Sequence, residues 1–514
     1  MIFERGTHLA KKLFCISGNR LGLTTQRAEP WMAIGGQPED HPKNGRRMMA
    51  VVRSELRKDS LSFLEALGQS VANVSPTLTP ALAVAVVAGM AGTASWLVYV
   101  FATIALLIVG INVGKLARRI PSAGSFFIYV SRSLGPSYGM LSGWAMLAAY
   151  IFTAMALTVA TSIFIKTFFT SLGFTAPIPS TLLYFLISAG IWAFACRDIK
   201  ISARIGLTLE VVSVAIILFV CVYTFAHFGF KIDARQTHLE GIDFKSAAQA
   251  VVFAIFSYVG FESAATLGRE TRNPTVNIPR AIVATAISAG VFFVLTTYLI
   301  VQGFEDDATK LGASGAPLAD ITSSISVGLT ALVYFGAAIS GFACALASLN
   351  AYGRMLFSLG RYQFVHTSMG LVHQNFKTPY VALTSGALIN FIVCAAFAGQ
   401  AETDTFGWYG TLASYGFIIV YFLCSVSAPV FLAKNGGATA GDKFVGGLGA
   451  VLMVLSLVGS LYPVPASPYN LFPYFFLVYI LLGVSWFFIL KARVPQAILG
   501  IEHDLEIAAA TPAE

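Results

Sequence analysis

Apolar runs of about 20 residues recur along the whole chain and are separated by short polar connections. A helix rises about 1.5 Å per residue, so about 20 helical residues cross the roughly 30 Å hydrocarbon core of a bilayer. The pattern therefore predicts an all-α integral membrane protein with about twelve transmembrane helices. The expected bounds of these helices are 66–91, 95–117, 139–166, 179–196, 203–228, 247–268, 279–302, 325–356, 380–399, 406–433, 444–463 and 472–492.

The composition indicates that lipid surrounds most of this surface. Of the 514 residues, 56% are hydrophobic and 11% are charged, whereas soluble domains carry roughly 25% charged residues. The net charge of +8 does not indicate a nucleic-acid partner, because the basic residues are spread over the predicted loops rather than clustered with aromatic residues. The lipid bilayer is thus the expected surrounding, and the sequence leaves the oligomeric state open.

The basic residues are distributed unequally between the two sides of the predicted helices. If the N-terminus is cytoplasmic, cytoplasmic segments hold all 33 lysines and arginines except Lys166, Lys231, Arg235, Lys245 and Lys310. This imbalance follows the positive-inside rule. It predicts a multi-pass protein of the cytoplasmic membrane with both termini in the cytoplasm.

The two ends of the chain are predicted to be tails. Residues 1–61 are polar and basic and hold too little apolar area to fold alone, so we expect a disordered cytoplasmic tail. Residues 493–514 form a second cytoplasmic tail, and Met48 or Met49 offers an alternative start. No cleavable signal peptide is expected, because no short apolar region with a small-residue cleavage site precedes the first span.

Two predicted helices are interrupted in the middle of their apolar runs. The first contains Asn73-Val74-Ser75-Pro76-Thr77-Leu78-Thr79-Pro80, and the sixth contains Phe256-Ser257-Tyr258-Val259-Gly260-Phe261-Glu262-Ser263. In lipid such a break is tolerated only where protein or a watery cavity satisfies the freed backbone groups. Each break lies in the first helix of a possible five-helix unit, 66–228 and 247–434, and matching breaks of this kind indicate a transporter site.

The freed backbone groups suggest what such a site would hold. N–H groups after Ser75 could bind a carboxylate, and carbonyl groups around Phe256 to Val259 could bind an ammonium group, so the pair suits a zwitterion. The alternative is a proline kink in the first span and a glycine packing contact in the sixth. Aromatic residues near the breaks could line or cap a cavity or serve only in packing; these are Phe256, Tyr258, Phe261, Trp144 and Tyr150.

Two carboxyl groups, Glu262 and Glu210, are predicted to lie deep in the membrane, where charges are costly and usually functional. We expect Glu262 to exchange a proton as the site changes exposure, with Glu210 as a second candidate for proton coupling. The alternative for each is a hydrogen-bonded structural carboxyl. No histidine lies at mid-membrane, the six cysteines show no metal or disulfide spacing, and no phosphate-binding glycine-rich loop occurs, so no metal, cofactor or nucleotide-driven pump is expected.

Three sequence blocks together resemble a known family. The first comprises Ser257 to Ala264, Gly268-Arg269-Glu270-Thr271-Arg272-Asn273-Pro274 and Ile278-Pro279-Arg280-Ala281-Ile282. The second is Arg118-Arg119-Ile120-Pro121-Ser122-Ala123-Gly124, and the third is Ser348-Leu349-Asn350-Ala351 with Arg354-Met355-Leu356-Phe357-Ser358-Leu359-Gly360-Arg361. Over roughly residues 62–492 the chain resembles the amino acid–polyamine–organocation permeases.

This resemblance implies a LeuT-like fold with two inverted repeats of five helices in a core at 62–434, two further helices at 435–492, and discontinuous helices one and six. It implies alternating access, with the substrate held between the two unwound segments. The positions that match the family's substrate site are Ser75, Pro76 and Thr77 in helix one, Ser257, Tyr258, Val259 and Gly260 in helix six, and Phe256 as an aromatic gate. Glu262 matches a carboxylate that some relatives use for substrate or proton coupling.

The chain departs from the family at two places. Many relatives have a glycine-rich turn where Ser75-Pro76-Thr77 stands here, so Pro76 offers no N–H to a carboxylate. Some proton-coupled relatives carry a lysine in helix five where this chain has Ser213. Proton coupling would therefore rest on Glu262 or Glu210.

The leading hypothesis is a secondary active transporter, a permease and not an enzyme, that moves an amino acid together with a proton. A polyamine or amine carrier, or an amino acid exchanger, is the alternative within transport; polyamine sites need several acids, and this chain has few. An amino acid sensor that binds without transport is the alternative of another class. Substrate binding without flux would distinguish the sensor.

Overall fold

The computed structural model describes residue 56 and residues 58–493, except 121, 123, 198, 228, 230–231, 239–249, 252, 324 and 466. Within these residues the regular elements are helices, and the extended structure is a single bridge between Leu61 and Thr271. The prediction of an all-α protein is confirmed. The predicted tails lie almost entirely outside the described residues.

The α-helices follow one another in chain order. They are α1 Phe63–Val74, α2 Val84–Ala91, α3 Ser95–Ala117, α4 Ser125–Leu134, α5 Pro136–Ser171, α6 Ser180–Ala195, α7 Ile199–His227, α8 Ala234–His238, α9 Pro274–Gly303, α10 Ala308–Gly312, α11 Pro317–Ser323, α12 Val327–Arg361, α13 Tyr380–Ala396, α14 Glu402–Lys434, α15 Ala440–Leu461 and α16 Phe472–Arg493.

Among the described residues, eight helical stretches are long and apolar enough to cross a membrane. One of them, 63–117, covers the first two predicted spans, and α6 and α13 are apolar but shorter. The predicted sixth span is divided into residues 253–256, a turn region at 257–262 and a 3₁₀ helix at Ser263–Leu267. The multi-pass character is confirmed, whereas the number of twelve crossings stays a prediction.

The short helices α4, α8, α10 and α11 were not predicted. Each is too short to cross a bilayer, and the hydropathy pattern identifies only apolar runs near bilayer length. The long helices α5 and α12 extend by several residues beyond the predicted spans 139–166 and 325–356 because their polar ends continue the helical hydrogen bonding. The remaining long helices agree with their predicted bounds to within about five residues.

Helix α5 lies at the centre of the bundle, with α12 and α14 packed along it, while α3 packs against α9 and α7 against α12. Helix α1 lies between α7, α12 and the 3₁₀ helix Ser263–Leu267. Gln69 Nε2 on α1 donates to the carbonyl of Ala347 at 2.8 Å, and the N–H of Ala264 donates to Ser70 Oγ at 2.9 Å. The two interrupted helices are therefore in direct contact. We call the end of the bundle where α1 begins the N-terminal face and the other end the opposite face.

Candidate functional site

The first interruption follows the last residue of α1. Ser75 adopts a left-handed conformation with φ 50°, and its N–H donates to the carbonyl of Ala72 at 3.2 Å. Pro76 has no N–H to donate, and helical bonding resumes where the N–H of Leu78 donates to the carbonyl of Ser75 at 3.0 Å. A π-helical turn at Thr79–Ala83 then leads into α2. The backbone is therefore unwound at the predicted position, and Ser75 and Thr77 are buried there.

The second interruption centres on Gly260, which has φ +96°. Residues with a side chain rarely adopt this conformation. A Cβ atom at position 260 would also lie 2.6 Å from Asn73 Nδ2 and 2.8 Å from the carbonyl oxygen of Asn73. Glycine is therefore required here for both conformation and space, and the two interruptions meet at Asn73 and Gly260.

Two buried polar atoms near this contact have no hydrogen-bond partner among the described residues: Asn73 Nδ2 and Thr77 Oγ1. Both oxygens of Asn73 already accept a hydrogen bond. Ser348 Oγ donates to Oδ1 at 2.5 Å, and Cys344 Sγ donates to the backbone carbonyl at 3.0 Å. A buried polar group without a partner is costly unless a ligand or water satisfies it. The first interruption therefore presents one amide donor and one hydroxyl group for a polar ligand.

Part of the second interruption is already satisfied by local turns. The N–H of Val259 donates to the carbonyl of Phe256 at 3.1 Å, and the N–H of Phe261 donates to the carbonyl of Tyr258 at 3.1 Å. Within the described residues the carbonyls of Ser257 and Val259 accept no backbone hydrogen bond. Only these two of the carbonyl groups from 256 to 259 are thus available to an ammonium group.

Glu262 is fully buried directly after the second interruption. Tyr150 on α5 donates its hydroxyl to Glu262 Oε1 at 3.2 Å, and Tyr421 on α14 donates to Oε2 at 2.5 Å. Both hydroxyl groups can donate to an ionised carboxylate, and either can accept a hydrogen bond from a protonated carboxyl. Glu262 is positioned to respond to movement of the sixth helix relative to α5 and α14.

Glu210 is connected to the first interruption. Ser340 Oγ on α12 lies 2.9 Å from both carboxyl oxygens of Glu210 and 2.8 Å from Ser75 Oγ. All three side chains are fully buried. A single hydroxyl therefore joins a buried carboxyl on α7 to the residue at which α1 unwinds.

Phe256 lies at the wall of a cavity of about 750 Å³ that is bounded by α2, α14 and the connection between α15 and α16. The cavity extends along α14 from Thr403 to Ile418, one turn before Tyr421. Its walls carry apolar side chains and hydroxyl groups, and none of the described residues that line it is Asp, Glu, Lys or Arg. The Phe256 ring packs against Phe406 with centroids 6.3 Å apart.

The predicted substrate-binding residues other than Phe256 form two groups, one at the interruptions and one with side chains that face α3. Ser75, Thr77, Val259 and Gly260 lie at the two interruptions, with Pro76 between Ser75 and Thr77. The side chains of Ser257 and Tyr258 instead face α3, where Ser257 Oγ lies 3.4 Å from the Tyr99 hydroxyl and the Tyr258 hydroxyl lies 2.6 Å from Thr103 Oγ1.

Tyr258 therefore anchors the sixth helix to α3, and only the backbone of Ser257 and Tyr258 faces the interruption. Trp144 also packs, since it stacks on Tyr479 with centroids 5.3 Å apart. Ser340 and Tyr421 were not identified from sequence, because a single hydroxyl in a long apolar helix gives no distinguishing signal. Asn73 was visible only as the first residue of the interrupted segment.

Comparison with known proteins identifies a family for most of the chain. Residues 67–496 match the family model described as amino acid permease. This match covers more than half of the chain, and it includes both interruptions and the buried carboxyls. It also contains all three sequence blocks described above.

Several characterised transporters are similar to this chain. The low-affinity putrescine importer PlaP of Escherichia coli K12 is 27% identical over 410 residues, which is 76% of this chain and 85% of the importer. The branched-chain amino acid permease BcaP of Bacillus subtilis is 24% identical over 59% of this chain and 68% of the permease. The methylthioribose transporter of Bacillus subtilis is 24% identical over 67% of this chain and 75% of that transporter.

Proposed function

The chain belongs to the amino acid permease family and is a membrane transporter, and from this premise we propose that it is a proton-coupled secondary transporter of amino acids. In this proposal substrate moves across the cytoplasmic membrane by alternating access. The bundle crosses the membrane twelve times and contains two inverted five-helix repeats. The observation that carries the proposal is the meeting of two unwound segments at Asn73 and Gly260.

The polar atoms at this meeting point suit a zwitterion. Asn73 Nδ2 and Thr77 Oγ1 lack partners among the described residues and would hold the carboxylate. The carbonyls of Ser257 and Val259 would hold the ammonium group. Pro76 supplies no N–H, so the side chains replace part of the backbone contact that an unwound helix usually gives a carboxylate.

The chemistry of the large cavity favours an amino acid with an apolar side chain over a diamine. A diamine needs an acceptor for a second ammonium group, and a charge transferred from water without a partner is strongly unfavourable. No described lining residue is an Asp or Glu that could pair with such a group. Both oxygens of Glu262 already accept hydrogen bonds from tyrosines. The similarity to a putrescine importer supports an amine carrier as the second candidate.

The orientation follows from the charges of the two faces. Exposed arginines follow α3 (Arg118 and Arg119) and the 3₁₀ helix Ser263–Leu267 (Arg269 and Arg272), and Arg272 Nε donates to the carbonyl of Asp59 just before α1. Such residues are enriched on the cytoplasmic side of membrane proteins. The N-terminal face is therefore cytoplasmic in this proposal, and the cavity beside Phe256 opens toward the outside.

Proton coupling is assigned to Glu262, with Glu210 as a second coupled group. Glu262 lies between the sixth helix and two tyrosines on other helices. A rearrangement of these helices during alternating access would change its hydrogen bonds and its access to water. A proton bound in one state would then be released in the other.

The decisive experiment uses purified full-length protein in liposomes with an imposed pH gradient, acidic outside. We expect labelled leucine to accumulate above its equilibrium level, and to lose this accumulation when a proton ionophore dissipates the gradient. Unlabelled leucine, isoleucine and valine should compete, whereas putrescine should compete at least tenfold less well. Accumulation of putrescine instead would support the amine carrier.

Binding measurements on the same preparation separate transport from sensing. An amino acid that binds saturably but shows no uptake or exchange in liposomes of either orientation would contradict the transporter proposal and support a sensor. Uptake that does not respond to the pH gradient, but responds to a counter-substrate inside the liposomes, would replace proton coupling with exchange.

A further inference from the structure

Glu270 and Arg354, which belong to two different sequence blocks, form a buried ion pair at the N-terminal face. Arg354 Nε lies 2.6 Å from Glu270 Oε2, and Nη2 lies 3.1 Å from Oε1. Both side chains have 0% exposure. Arg354 also donates to the carbonyl of Asn350 on its own helix at 3.1 Å, so it stays attached to α12.

The backbone of Glu270 holds the segment that leads into α1. The N–H groups of Ser60 and Leu61 donate to the carbonyl of Glu270 at 2.9 and 3.0 Å. The N–H of Arg272 donates to the carbonyl of Leu61 at 2.8 Å, and Arg272 Nε donates to the carbonyl of Asp59 at 2.8 Å. The start of α1 is thus fixed to the residue that pairs with Arg354.

The second sequence block, which contains Ser122 and Gly124, lies against the same region. A Cβ atom at Gly268 would lie 2.7 Å from the backbone nitrogen and oxygen of Ser122. A Cβ atom at Gly124 would lie 3.1 Å from Ser358, one turn beyond Arg354 on α12. The three blocks therefore converge on one closed layer, formed by residues 59–61, 122 and 124, 268–272 and 354–358.

A second ion pair, between Glu65 on α1 and Arg204 on α7, provides a comparison. Arg204 Nε lies 2.9 Å from Glu65 Oε1, but the Arg204 side chain is 63% exposed. Water can hydrate that arginine when the pair separates, so the pair stabilises the closed layer little. Separation of Glu270 from Arg354 in the dry layer would leave two unpaired charges, which is strongly unfavourable until water enters. The buried pair therefore disfavours partial opening.

We propose that Glu270 and Arg354 are positioning residues of the transport cycle, whose pairing holds the start of α1 and closes the N-terminal face of the substrate pathway. Opening of this face separates the pair, hydrates both charges and frees residues 59–61 together with α1. The inference rests on the proposed alternating-access cycle. It adds a role for two residues that contact neither substrate nor proton-coupling carboxyl.

The test compares full-length protein and variants in liposomes by hydrogen–deuterium exchange and by uptake. In Glu270→Gln the peptide that contains Ser60, Leu61 and the first turns of α1 should exchange at least tenfold faster. Peptides from the centre of α5 should be unchanged. Maximal uptake should fall at least fivefold, while the affinity measured by equilibrium binding should change less than twofold.

Two further variants control this result. Arg204→Gln removes the exposed partner of Glu65 but keeps the hydrogen bond from the Ser62 N–H to Glu65 at the start of α1, and it should change the exchange of the same peptide less than twofold. The double variant Glu270→Arg with Arg354→Glu restores opposite charges and should recover slow exchange and at least half of the uptake. If Glu270→Gln unfolds the protein, the double variant is the test of the inference. A double variant that recovers neither slow exchange nor uptake would contradict the positioning role.

The outcomes also separate this inference from the proposed function. Unchanged exchange at residues 60–74 in folded Glu270→Gln, with uptake also unchanged, would overturn the positioning role and leave the transporter intact. No uptake of any substrate by the unaltered protein would contradict the proposed function. The hydrogen–deuterium exchange comparison would still show whether the ion pair holds the start of α1 in place.

Discussion

The ring of Phe256 lies directly against Gly410 on α14, so closely that a Cβ atom at position 410 would be 2.9 Å from Cζ of the ring. One turn earlier on the same face of α14, Phe406 packs edge-on against the same ring. Helix α14 therefore fixes where Phe256 can lie beside the cavity. Any side chain at position 410 must displace the ring.

Gly410→Ala should move Phe256 and weaken substrate binding, and Gly410→Val should do so more strongly. Overpacking of a buried contact costs about 1–3 kcal/mol, which corresponds to roughly a fivefold or greater change in affinity. Because the ring belongs to the proposed gate, we expect KM for uptake to rise with protein abundance unchanged. Uptake kinetics in liposomes measure the change.

The matched control for this substitution is Gly447 on α15. No atom lies within 4 Å of a Cβ built at that position, so Gly447→Ala should leave KM unchanged. A normal KM in Gly410→Ala would mean that Phe256 relaxes freely and that α14 does not set its position.

A second prediction concerns the two tyrosines on Glu262. Tyr421→Phe removes the donor at 2.5 Å and leaves Oε2 without that partner, a loss of about 1–3 kcal/mol for an ionised buried group. We expect the pH at which uptake is half-maximal to shift toward higher pH in Tyr421→Phe, because the protonated carboxyl is relatively favoured. Glu262→Gln should largely abolish the pH dependence.

Tyr409→Phe is the control, because its hydroxyl donates to the carbonyl of Val393 at 3.3 Å and does not contact Glu262. Its pH profile should match that of the unaltered protein. A pH dependence that survives in Glu262→Gln would assign proton coupling to another group, with Glu210 the first to examine.

Much of the fold could be predicted because helices that cross a bilayer need long apolar runs, which are visible in the sequence. Long apolar runs must be helical in lipid, where backbone groups need internal partners, and the bounds of α9 and α14 agree with that expectation. Prolines and glycines at membrane depth marked both interruptions. Ser75 and Gly260 have positive φ within those predicted segments.

The partners of the buried carboxyls could not be predicted in the same way. Glu262 and Tyr421 are 159 residues apart, and Glu210 and Ser340 are 130 residues apart. Their contacts depend on how α7 packs against α12 and how α14 packs against α5, which hydropathy does not encode. The same limit applies to Tyr258. Its position at the interruption suggested that its side chain lines a cavity, but its hydroxyl contacts Thr103 on α3.

A third prediction follows from the hydroxyl that joins Glu210 to Ser75. Ser340→Ala removes the group within 2.9 Å of both carboxyl oxygens and 2.8 Å of Ser75 Oγ. If this connection couples the buried carboxyl to the unwound segment, uptake should fall about tenfold, as expected for loss of about 1–2 kcal/mol. Uptake in liposomes measures the loss.

Ser340→Thr keeps the hydroxyl and should retain most activity. Thr330→Ala on the same helix is a control for loss of a hydroxyl, because Thr330 Oγ1 bonds Thr322 at 2.8 Å and not Glu210. Equal activity in Ser340→Ala and the unaltered protein would restrict Glu210 to a structural role.

The fourth prediction concerns Asp306 and Asp233, two acids in connecting segments at the opposite face. Burial, followed by the neighbouring Asp233, raises the pKa of Asp306 to about 7, although the nearby Arg235 opposes this rise. Burial acts against ionisation of Asp233 as well, but hydrogen bonds led by that with Asp306 lower its pKa. Asp306 thus holds a proton that it shares with an ionised Asp233.

Rising pH should weaken this contact. An unfolded aspartate releases its proton near pH 4, whereas folded Asp306 retains it to about pH 7. The stabilising contribution is therefore complete below about pH 4 and is lost as the pH rises through 7. Because the pair is partly hydrated, we expect a decrease in melting temperature of only about 1–2 °C between pH 6 and pH 8. Asp306→Asn should remove this decrease, whereas the exposed neighbour variant Glu305→Gln should keep it. A decrease that persists unchanged in Asp306→Asn would place the titrating group elsewhere.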